Sequence, residues 1–142
     1  MDLTIRDAHA GDADAIGGLL GQLGYPAAAD AVEARLERLA IVGDRVVVAE
    51  IGDVAVGFAH LHVSPAIEYD RPAAKLAALV VDERHRGRGF GRALVAEMEA
   101  EARTRGCELL FLTTAARRTD AHSFYAQVGL EETGKRFAKY LS

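Results

Sequence analysis

Hydrophobic residues recur along the chain with two different spacings, which together predict a domain that mixes helices and strands. Apolar positions three and four residues apart, typical of amphipathic helices, recur in four segments. Residues that favour helix ends flank these segments, such as Asp12 before the first and Gly24 after it. The predicted helices run from Asp12 to Gly24, from Pro26 to Leu39, from Ala93 to Arg105, and from Thr119 or Asp120 to Gly129.

Shorter runs rich in β-branched residues predict six strands, placed before, between and after these helices. The two-residue link Gly52-Asp53 is typical of a tight hairpin. Residues 64–74 contain two prolines and no periodicity, and are predicted to form an exposed loop. The predicted strands are Leu3–Arg6, Arg45–Ile51, Val54–Val63, Lys75–Val81, Glu108–Thr113 and Lys135–Leu141. This order predicts an α/β fold with a mixed sheet, as a single domain over residues 1–142.

Composition narrows the class of protein without identifying it. The 142 residues are 50% hydrophobic and 27% charged, as is usual for a globular protein, and the net charge of −4 excludes a general nucleic-acid binder. Cys107 is the only cysteine, so we predict no internal disulfide and a small apolar role for this side chain. The sequence contains no apolar run of membrane-spanning length, and its first residues do not resemble a signal peptide. We therefore expect a soluble cytoplasmic protein without a membrane partner.

The segment from Arg84 to Arg92 contains four arginines and three alternating glycines. It connects an apolar strand pattern to a helix pattern, so its backbone N–H groups would lie at the positive end of a helix dipole. Arginine side chains add charge-assisted hydrogen bonds that suit phosphate oxygens. We therefore predict a phosphorylated ligand at the start of this helix.

Two common phosphate-binding loops do not match this segment. A Walker loop requires Gly-Lys followed by Ser or Thr, and the chain contains neither combination. A dinucleotide fingerprint begins correctly at Gly87 and Gly89 but has Arg92 where its third glycine belongs. A nucleotide-binding enzyme of another fold stays open as an alternative, and it predicts that ATP or NAD competes for this loop.

The remaining pattern, R-x-x-G-x-G at Arg86, Gly89 and Gly91, resembles the pyrophosphate loop of the GNAT superfamily of acetyl-CoA-dependent N-acetyltransferases. A second signature of that superfamily, F-Y-x-x-x-G-L, matches Phe124 to Leu130. The resemblance extends over essentially the whole chain. It implies a mixed, mostly antiparallel central sheet, flanked by helices, in which two parallel central strands splay apart.

In this superfamily the pantetheine arm of acetyl-CoA lies in the splay, which the resemblance places between Leu76–Val81 and Glu108–Thr113. Backbone groups of the first strand would pair with the pantetheine amides, and the Gly-rich loop would hold the phosphates. The resemblance implies acetyl-CoA as cosubstrate and no metal. The implied cofactor-binding residues are Leu79, Val80, Val81, Arg84, Arg86, Gly87, Arg88, Gly89, Phe90, Gly91, Arg92, Asp120 and Tyr125.

Tyr125 matches the superfamily's general acid, which protonates the departing thiolate; the alternative is a core aromatic residue. Many members carry a glutamate base on the strand before the loop, but Ala77 occupies that position here. The replacement base candidates are His60 and His62 on one face of a strand, and Glu68 in the following loop, where Tyr69 and Asp70 are further possibilities. His122 lies close to Tyr125 and is expected to be a surface or supporting residue.

The resemblance implies transfer of the acetyl group to a primary amine by direct attack in a ternary complex. The short chain favours a small-molecule acceptor, such as an amino sugar, aminoglycoside, polyamine or aminoalkylphosphonate, and Glu68 and Asp70 would suit a cationic amine. Two alternatives are acetylation of a protein N-terminus or lysine, and a non-catalytic acyl-CoA-binding module. Homodimers are frequent in the superfamily, so a homodimer is a further expectation.

Overall fold

A computed structural model describes residues 2–113, 119–134 and 136–141, with the backbone alone for residues 119–122. Short helical turns at Ala10–Asp12 and Glu83–His85 precede α1 and α3. The helices are α1 (Ala13–Leu23), α2 (Ala29–Ile41), α3 (Phe90–Thr104) and α4 (Thr119–Gln127). The strands are β1 (Leu3–Asp7), β2 (Arg45–Ile51), β3 (Val54–Ser64), β4 (Ala73–Val81) and β5 (Leu109–Phe111).

In the described part of the chain, the strands form one sheet in the order β1-β2-β3-β4-β5. Neighbouring strands are antiparallel except β4 and β5, which run parallel. The predicted hairpin is confirmed, because Ile51 pairs with Val54 across Gly52-Asp53, and Gly52 has a φ of 58° that suits glycine. The predicted mixed sheet with one parallel pair of strands is therefore confirmed.

The sheet carries a hydrophobic core on each face, because alternate strand residues point to opposite sides. On one face α3 packs against β2, β3 and β4. On the other face α1 and α2 cover Val48, Phe58 and Val80. The largest fully buried side chains include Leu61, Leu94 and Met98 of the α3 face. This two-sided covering explains why β4 lacks the alternating polar pattern of a surface strand.

Asp12 precedes α1, as predicted, but its carboxylate does not cap the helix. It accepts two hydrogen bonds from the Arg6 guanidinium, at 2.8 and 2.9 Å, and one from the backbone N–H of His9. The hydrogen bonds from Arg6 lower the pKa of the Asp12 carboxyl and its burial raises it, and the net effect is a lowered pKa. Asp12 therefore joins β1 to the start of α1.

The boundaries of several predicted elements shift in the structure, and α2 begins at Ala29 rather than at Pro26. β4 begins at Ala73, inside the predicted loop, because Ala73 and Ala74 pair with Ser64 and Val63 on one side and with Leu109 and Leu110 on the other. α3 begins at Phe90 rather than Ala93, directly after Gly89. β5 is shorter than the predicted Glu108–Thr113 strand, since its pairing with β4 ends at Phe111.

The predicted strand Lys135–Leu141 is wrong over residues 136–141, which form no strand, while Lys135 lies outside the described residues. Its apolar members Phe137, Tyr140 and Leu141 are about nine-tenths exposed. The alternation of apolar and polar residues favours a strand, but a strand also requires a hydrogen-bonded neighbour, and these residues pair with none.

Cys107 lies before β5, and its partly buried side chain packs against the core on the α3 face. Across the described residues, the helices include none that is both long and apolar enough to cross a bilayer.

Candidate functional site

A gap opens between β4 and β5, beginning where their hydrogen bonding stops. The two strands pair at three positions only, and the last of these joins Lys75 to Phe111. Beyond this pair β4 continues for six more residues, to Val81, and its gap-side edge has no strand partner in the described part of the chain. Such an edge presents backbone N–H and C=O groups that can pair with an extended ligand.

A β-bulge at Ala77 marks the beginning of this gap. His60 pairs with Ala78 and Leu61 pairs with Leu76, so Ala77 is the extra residue on β4. A bulge leaves one residue outside the ladder and changes the direction of the local backbone, and such features are common beside active sites. Ala77 thus occupies a distorted backbone position, which an apolar pattern alone does not reveal.

A small cavity of about 50 Å³ lies in the gap. Four consecutive β4 residues, Leu76 to Leu79, line it together with Leu112 and Thr113. Leu23 of α1 and Tyr125 of α4 complete the lining. The structure therefore brings Leu79 and Tyr125, both predicted site residues, to the same cavity.

The segment after β4 is held by Asp82, whose side chain is buried. The Asp82 carboxylate accepts hydrogen bonds from the backbone N–H and the guanidinium of Arg84, each at 3.0 Å. The Arg84 side chain and backbone lower the pKa of the Asp82 carboxyl well below its usual range. Arg84, predicted to contact a phosphate, is therefore engaged in an ion pair within its own turn.

The Gly-rich loop brings backbone N–H groups together at the beginning of α3. Gly87 and Gly89 have φ values of 81° and 84°, a left-handed conformation that favours glycine. Gly89 is the residue before α3 and has no side chain to cap the first turn, and among the described residues no side chain accepts from the amides there. The side chain of Arg86 donates to the Val81 carbonyl at 3.1 Å, which ties the loop to the end of β4.

Arg88 and Arg92 are the other two arginines of the loop, and both are exposed. Neither side chain forms an ion pair or hydrogen bond with another described residue. Together with the first-turn amides of α3, they form a cationic surface at the open end of the gap. This arrangement can bind a pyrophosphate and a further phosphate.

Tight packing connects this loop to the helix that carries Tyr125. A Cβ atom at Gly91 would lie 3.1 Å from the Phe124 ring, so glycine allows α3 and α4 to approach closely here. The rings of Phe124 and Tyr125 are 5.6 Å apart in an edge-to-face arrangement. Phe90 contacts the ring of His85 at a centroid distance of 6.4 Å. The side chains of Asp120 and His122, also on α4, lie outside the described residues.

His60 and His62 are brought together by a residue that the sequence analysis did not identify. The two oxygens of Asp44 lie 2.7 Å from Nε2 of His60 and 2.7 Å from Nδ1 of His62. The Asp44 side chain is only 3% exposed; burial raises the pKa of its carboxyl, but hydrogen bonds from the two histidines outweigh it and the net pKa is lowered. A single aspartate after Gly43 carries no sequence signal for this role.

Glu68, the third predicted base candidate, lies exposed in the loop before β4 and contacts neither histidine through a hydrogen bond or ion pair. The loop is joined to β5 because Glu108 accepts a hydrogen bond from the Arg71 N–H at 2.9 Å. Over the residues that the structure describes, no three His, Cys, Asp or Glu side chains are arranged to hold a metal ion.

A larger cavity of about 220 Å³ lies at the other end of α3, between its last turns, β5 and the residues after α4. Its charged lining residues Glu99 and Arg103 pair with each other. We assign the candidate site to the smaller cavity, because that cavity adjoins the unpaired edge of β4 and contains Tyr125.

Comparison with known proteins agrees with this geometry. The family model described as "Acetyltransferase (GNAT) family" matches residues 20–130. Aminoalkylphosphonate N-acetyltransferase of Salmonella typhimurium is 37% identical over 86 residues, 61% of this chain. The matched region spans 56% of that relative, little more than half of its length.

Glucosamine 6-phosphate N-acetyltransferase 1 of Oryza sativa subsp. japonica is 31% identical over 132 residues, 87% of this chain and 77% of that relative. A solved aminoglycoside N-acetyltransferase in complex with CoA shares the fold, with a TM-score of 0.84 and 24% identity over 99% of this chain and 95% of that one. The family match covers most of the chain and includes both the Gly-rich loop and the helix of Tyr125. The chain therefore belongs to the GNAT acetyltransferase family.

Proposed function

We propose that this protein transfers the acetyl group of acetyl-CoA to a primary amine of a small molecule, by direct attack within a ternary complex. The observation that carries the proposal is the β4–β5 gap, which is closed at the Lys75–Phe111 pair and open towards the Gly-rich loop. A ligand with phosphates at one end and an extended amide-containing arm fits this shape. The Gly-rich loop offers partners for the phosphates, and the unpaired edge of β4 offers partners for the amides.

The groups present suit coenzyme A at both ends. First-turn amides of α3, with Arg88 and Arg92, would hold the phosphates. Backbone groups of Leu79, Val80 and Val81, on the unpaired edge of β4, would pair with the pantetheine amides as a neighbouring strand does. Arg84 would contribute less than the sequence predicts, since Asp82 already binds its guanidinium.

The chemistry requires three contributions from the protein. The amine nitrogen forms a bond to the thioester carbonyl carbon, and a backbone N–H in the gap, where the bulge at Ala77 distorts β4, would stabilise the oxyanion. The C–S bond then breaks, and the Tyr125 hydroxyl would give its proton to the departing thiolate. The amine must lose a proton as well, and His60, His62 or Glu68, directly or through water, would accept it.

The acceptor is proposed to be a small molecule rather than a protein. The two relatives described above are named for an aminoalkylphosphonate and for glucosamine 6-phosphate, and each of these is a small amine with an acidic substituent. This supports a small-amine acceptor more than a peptide acceptor.

The direct test is acetyl transfer with purified protein. Acetyl-CoA is incubated with aminoalkylphosphonates, amino sugars, polyamines, aminoglycosides and peptides, while thiol release and product mass are measured. Thiol release with acetylation of a small amine supports the proposal. Acetylation of peptides alone would favour a protein acceptor, and coenzyme A binding without turnover on any amine would favour a binding module.

The Tyr125→Phe substitution tests the proposed acid. Loss of the hydroxyl should lower kcat by about 100-fold or more, because general acid catalysis commonly contributes this much, with little change in the KM for acetyl-CoA. Tyr140→Phe is the matched control, since Tyr140 is exposed and lies outside the gap. If Tyr125→Phe leaves kcat unaltered across the pH range, Tyr125 is a packing residue and not the acid.

A further inference from the structure

Lys75 occupies a special position, the closed end of the β4–β5 gap. It belongs to the last hydrogen-bonded pair before the two strands separate. It also pairs with His62 of β3 on its other side. Directly paired residues of antiparallel strands point to the same face of a sheet. The Lys75 and His62 side chains therefore lie next to each other, beside the closed end of the gap.

This face is the one that carries α1 and α2, but the helices do not cover its Lys75 end. Phe58 of β3 is buried under α1, and residues 60 and 62 continue along the same face. His62 has a side chain that is 43% exposed. Lys75 and His62 are both half-buried, and Lys75 lies two residues from Ala77 and the cavity that we assign to acetyl transfer.

The two side chains differ in their acidic partners, because His62 is paired with Asp44. In the described part of the chain, Lys75 forms no ion pair, unlike Arg6, Arg45 and Arg84, which each bind an aspartate. Both oxygens of Asp44 already accept from His60 and His62. Because Asp44 holds Nδ1 of His62, Nε2 is the nitrogen left to meet a ligand.

The phosphates of coenzyme A cannot be the partner of this pair. They would bind at the opposite end of β4, six residues away, or about 20 Å at the rise of an extended strand. A second anion at the closed end must therefore belong to the other substrate. We propose that Lys75 and His62 bind a phosphonate or phosphate group of the amine acceptor, a proposal that rests on the acetyltransferase function proposed above.

The chemistry of the two side chains suits a phosphoryl dianion. The Lys75 ammonium offers three donors and a full charge. The Nε2 atom of His62 can form a hydrogen bond with a phosphoryl oxygen, and the proton between them can come from either partner. Asp44 is then a positioning residue, because it fixes the orientation of the His62 ring without touching the ligand.

The test compares three acceptors of similar length that differ in one substituent: aminoethylphosphonate, β-alanine and propylamine. The wild-type protein should prefer the phosphonate to the carboxylate, and the carboxylate to the uncharged amine, in kcat/KM. Lys75→Met should lower kcat/KM for the phosphonate by about 10- to 100-fold, the usual range for one charge-assisted hydrogen bond, with little effect on propylamine. His62→Gln should reduce the same preference by a smaller factor.

Two controls separate recognition from folding. Lys75→Arg keeps the charge and should retain most of the preference, and Lys139→Met makes the same substitution at an exposed lysine and should change nothing. If the wild-type protein acetylates no amine, the proposed function itself fails. If it acetylates propylamine as well as the phosphonate, or if Lys75→Met affects all three acceptors equally, the anion site is wrong while the acetyltransferase proposal stands.

Discussion

Two glycines that look alike in the sequence have opposite structural meanings. Gly57 lies in β3, and a Cβ atom there would be 2.7 Å from the Val80 carbonyl oxygen and 3.3 Å from Leu94. Gly18 lies on the exposed side of α1, where a Cβ atom would meet nothing within 4 Å. Gly57 therefore permits the close approach of β3, β4 and α3, whereas Gly18 only weakens a helix.

The paired substitutions Gly57→Ala and Gly18→Ala should change stability in opposite directions. Gly57→Ala should lower the free energy of unfolding by about 1–3 kcal/mol, the usual result of overpacking. Gly18→Ala should raise it by up to about 1 kcal/mol through helix propensity. Urea denaturation of both variants measures the difference, and a stable Gly57→Ala protein would contradict the packing at this position.

At the scale of single elements, α3 begins and ends with a glycine in the left-handed conformation. Gly89 precedes its first turn with a φ of 84°, and Gly106 follows its last turn with a φ of 76°. Added Cβ atoms would meet no other atoms at either position. The two glycines therefore impose the same backbone constraint, but only Gly89 lies beside the proposed phosphate site.

Gly89→Ala and Gly106→Ala should destabilise the protein to a similar extent, by about 1 kcal/mol each, because both force alanine into a left-handed conformation. Only Gly89→Ala should also raise the KM for acetyl-CoA, since it reorients the amides that would hold the phosphates. Thermal denaturation and steady-state kinetics of the two variants test this. An equal rise in KM for both would mean that the effect comes from helix stability alone.

The elements differ in how well they follow from the sequence. The hairpin at Gly52-Asp53 and helix α1 depend on local signals, and both form as predicted. The strand predicted at 135–141 depends on a partner that residues 136–141 do not have, and it does not form there. The residues of the site differ in the same way. Tyr125 and the Gly-rich loop follow from sequence motifs. The Ala77 bulge depends on the register of β3 with β4, and the role of Asp44 depends on a loop contact distant in sequence.

Over the whole molecule, buried carboxylates hold the chain together. Some join residues that are distant in sequence, and one holds a tight turn. Asp12 binds Arg6, which also binds Glu50 of β2. Asp44 binds two residues of β3, and Asp82 holds the turn after β4. The pKa of each of these three aspartates is lowered in the folded protein.

The direction of these pKa shifts determines how the stability of the protein depends on pH. A carboxyl group whose pKa is lower in the folded state stabilises the fold fully at pH values above its ordinary pKa of about 4. This stabilisation is lost as the pH falls through the pKa that the group has in the folded state. The free energy of unfolding should therefore decrease as the pH falls below about 5.

Asp12→Asn tests the origin of this loss. The variant should be less stable at neutral pH by about 2 kcal/mol, because Arg6 loses its charged partner, and its stability should decline less steeply in acid. Asp53→Asn, in the exposed hairpin turn, should keep the slope of the wild-type protein. Urea denaturation over a series of pH values gives the slopes, and an unchanged slope for Asp12→Asn would contradict this assignment.

The closed end of the β4–β5 gap also fixes a length. From the Lys75–Phe111 pair to the Gly-rich loop, β4 extends for about 20 Å. A carrier molecule anchored by its phosphates at the open end can reach as far as the first hydrogen-bonded strand pair and no farther. The gap would then select thioesters by the length of the carrier arm. Short acyl groups would end at the closed end, whereas longer ones would have to separate β4 from β5.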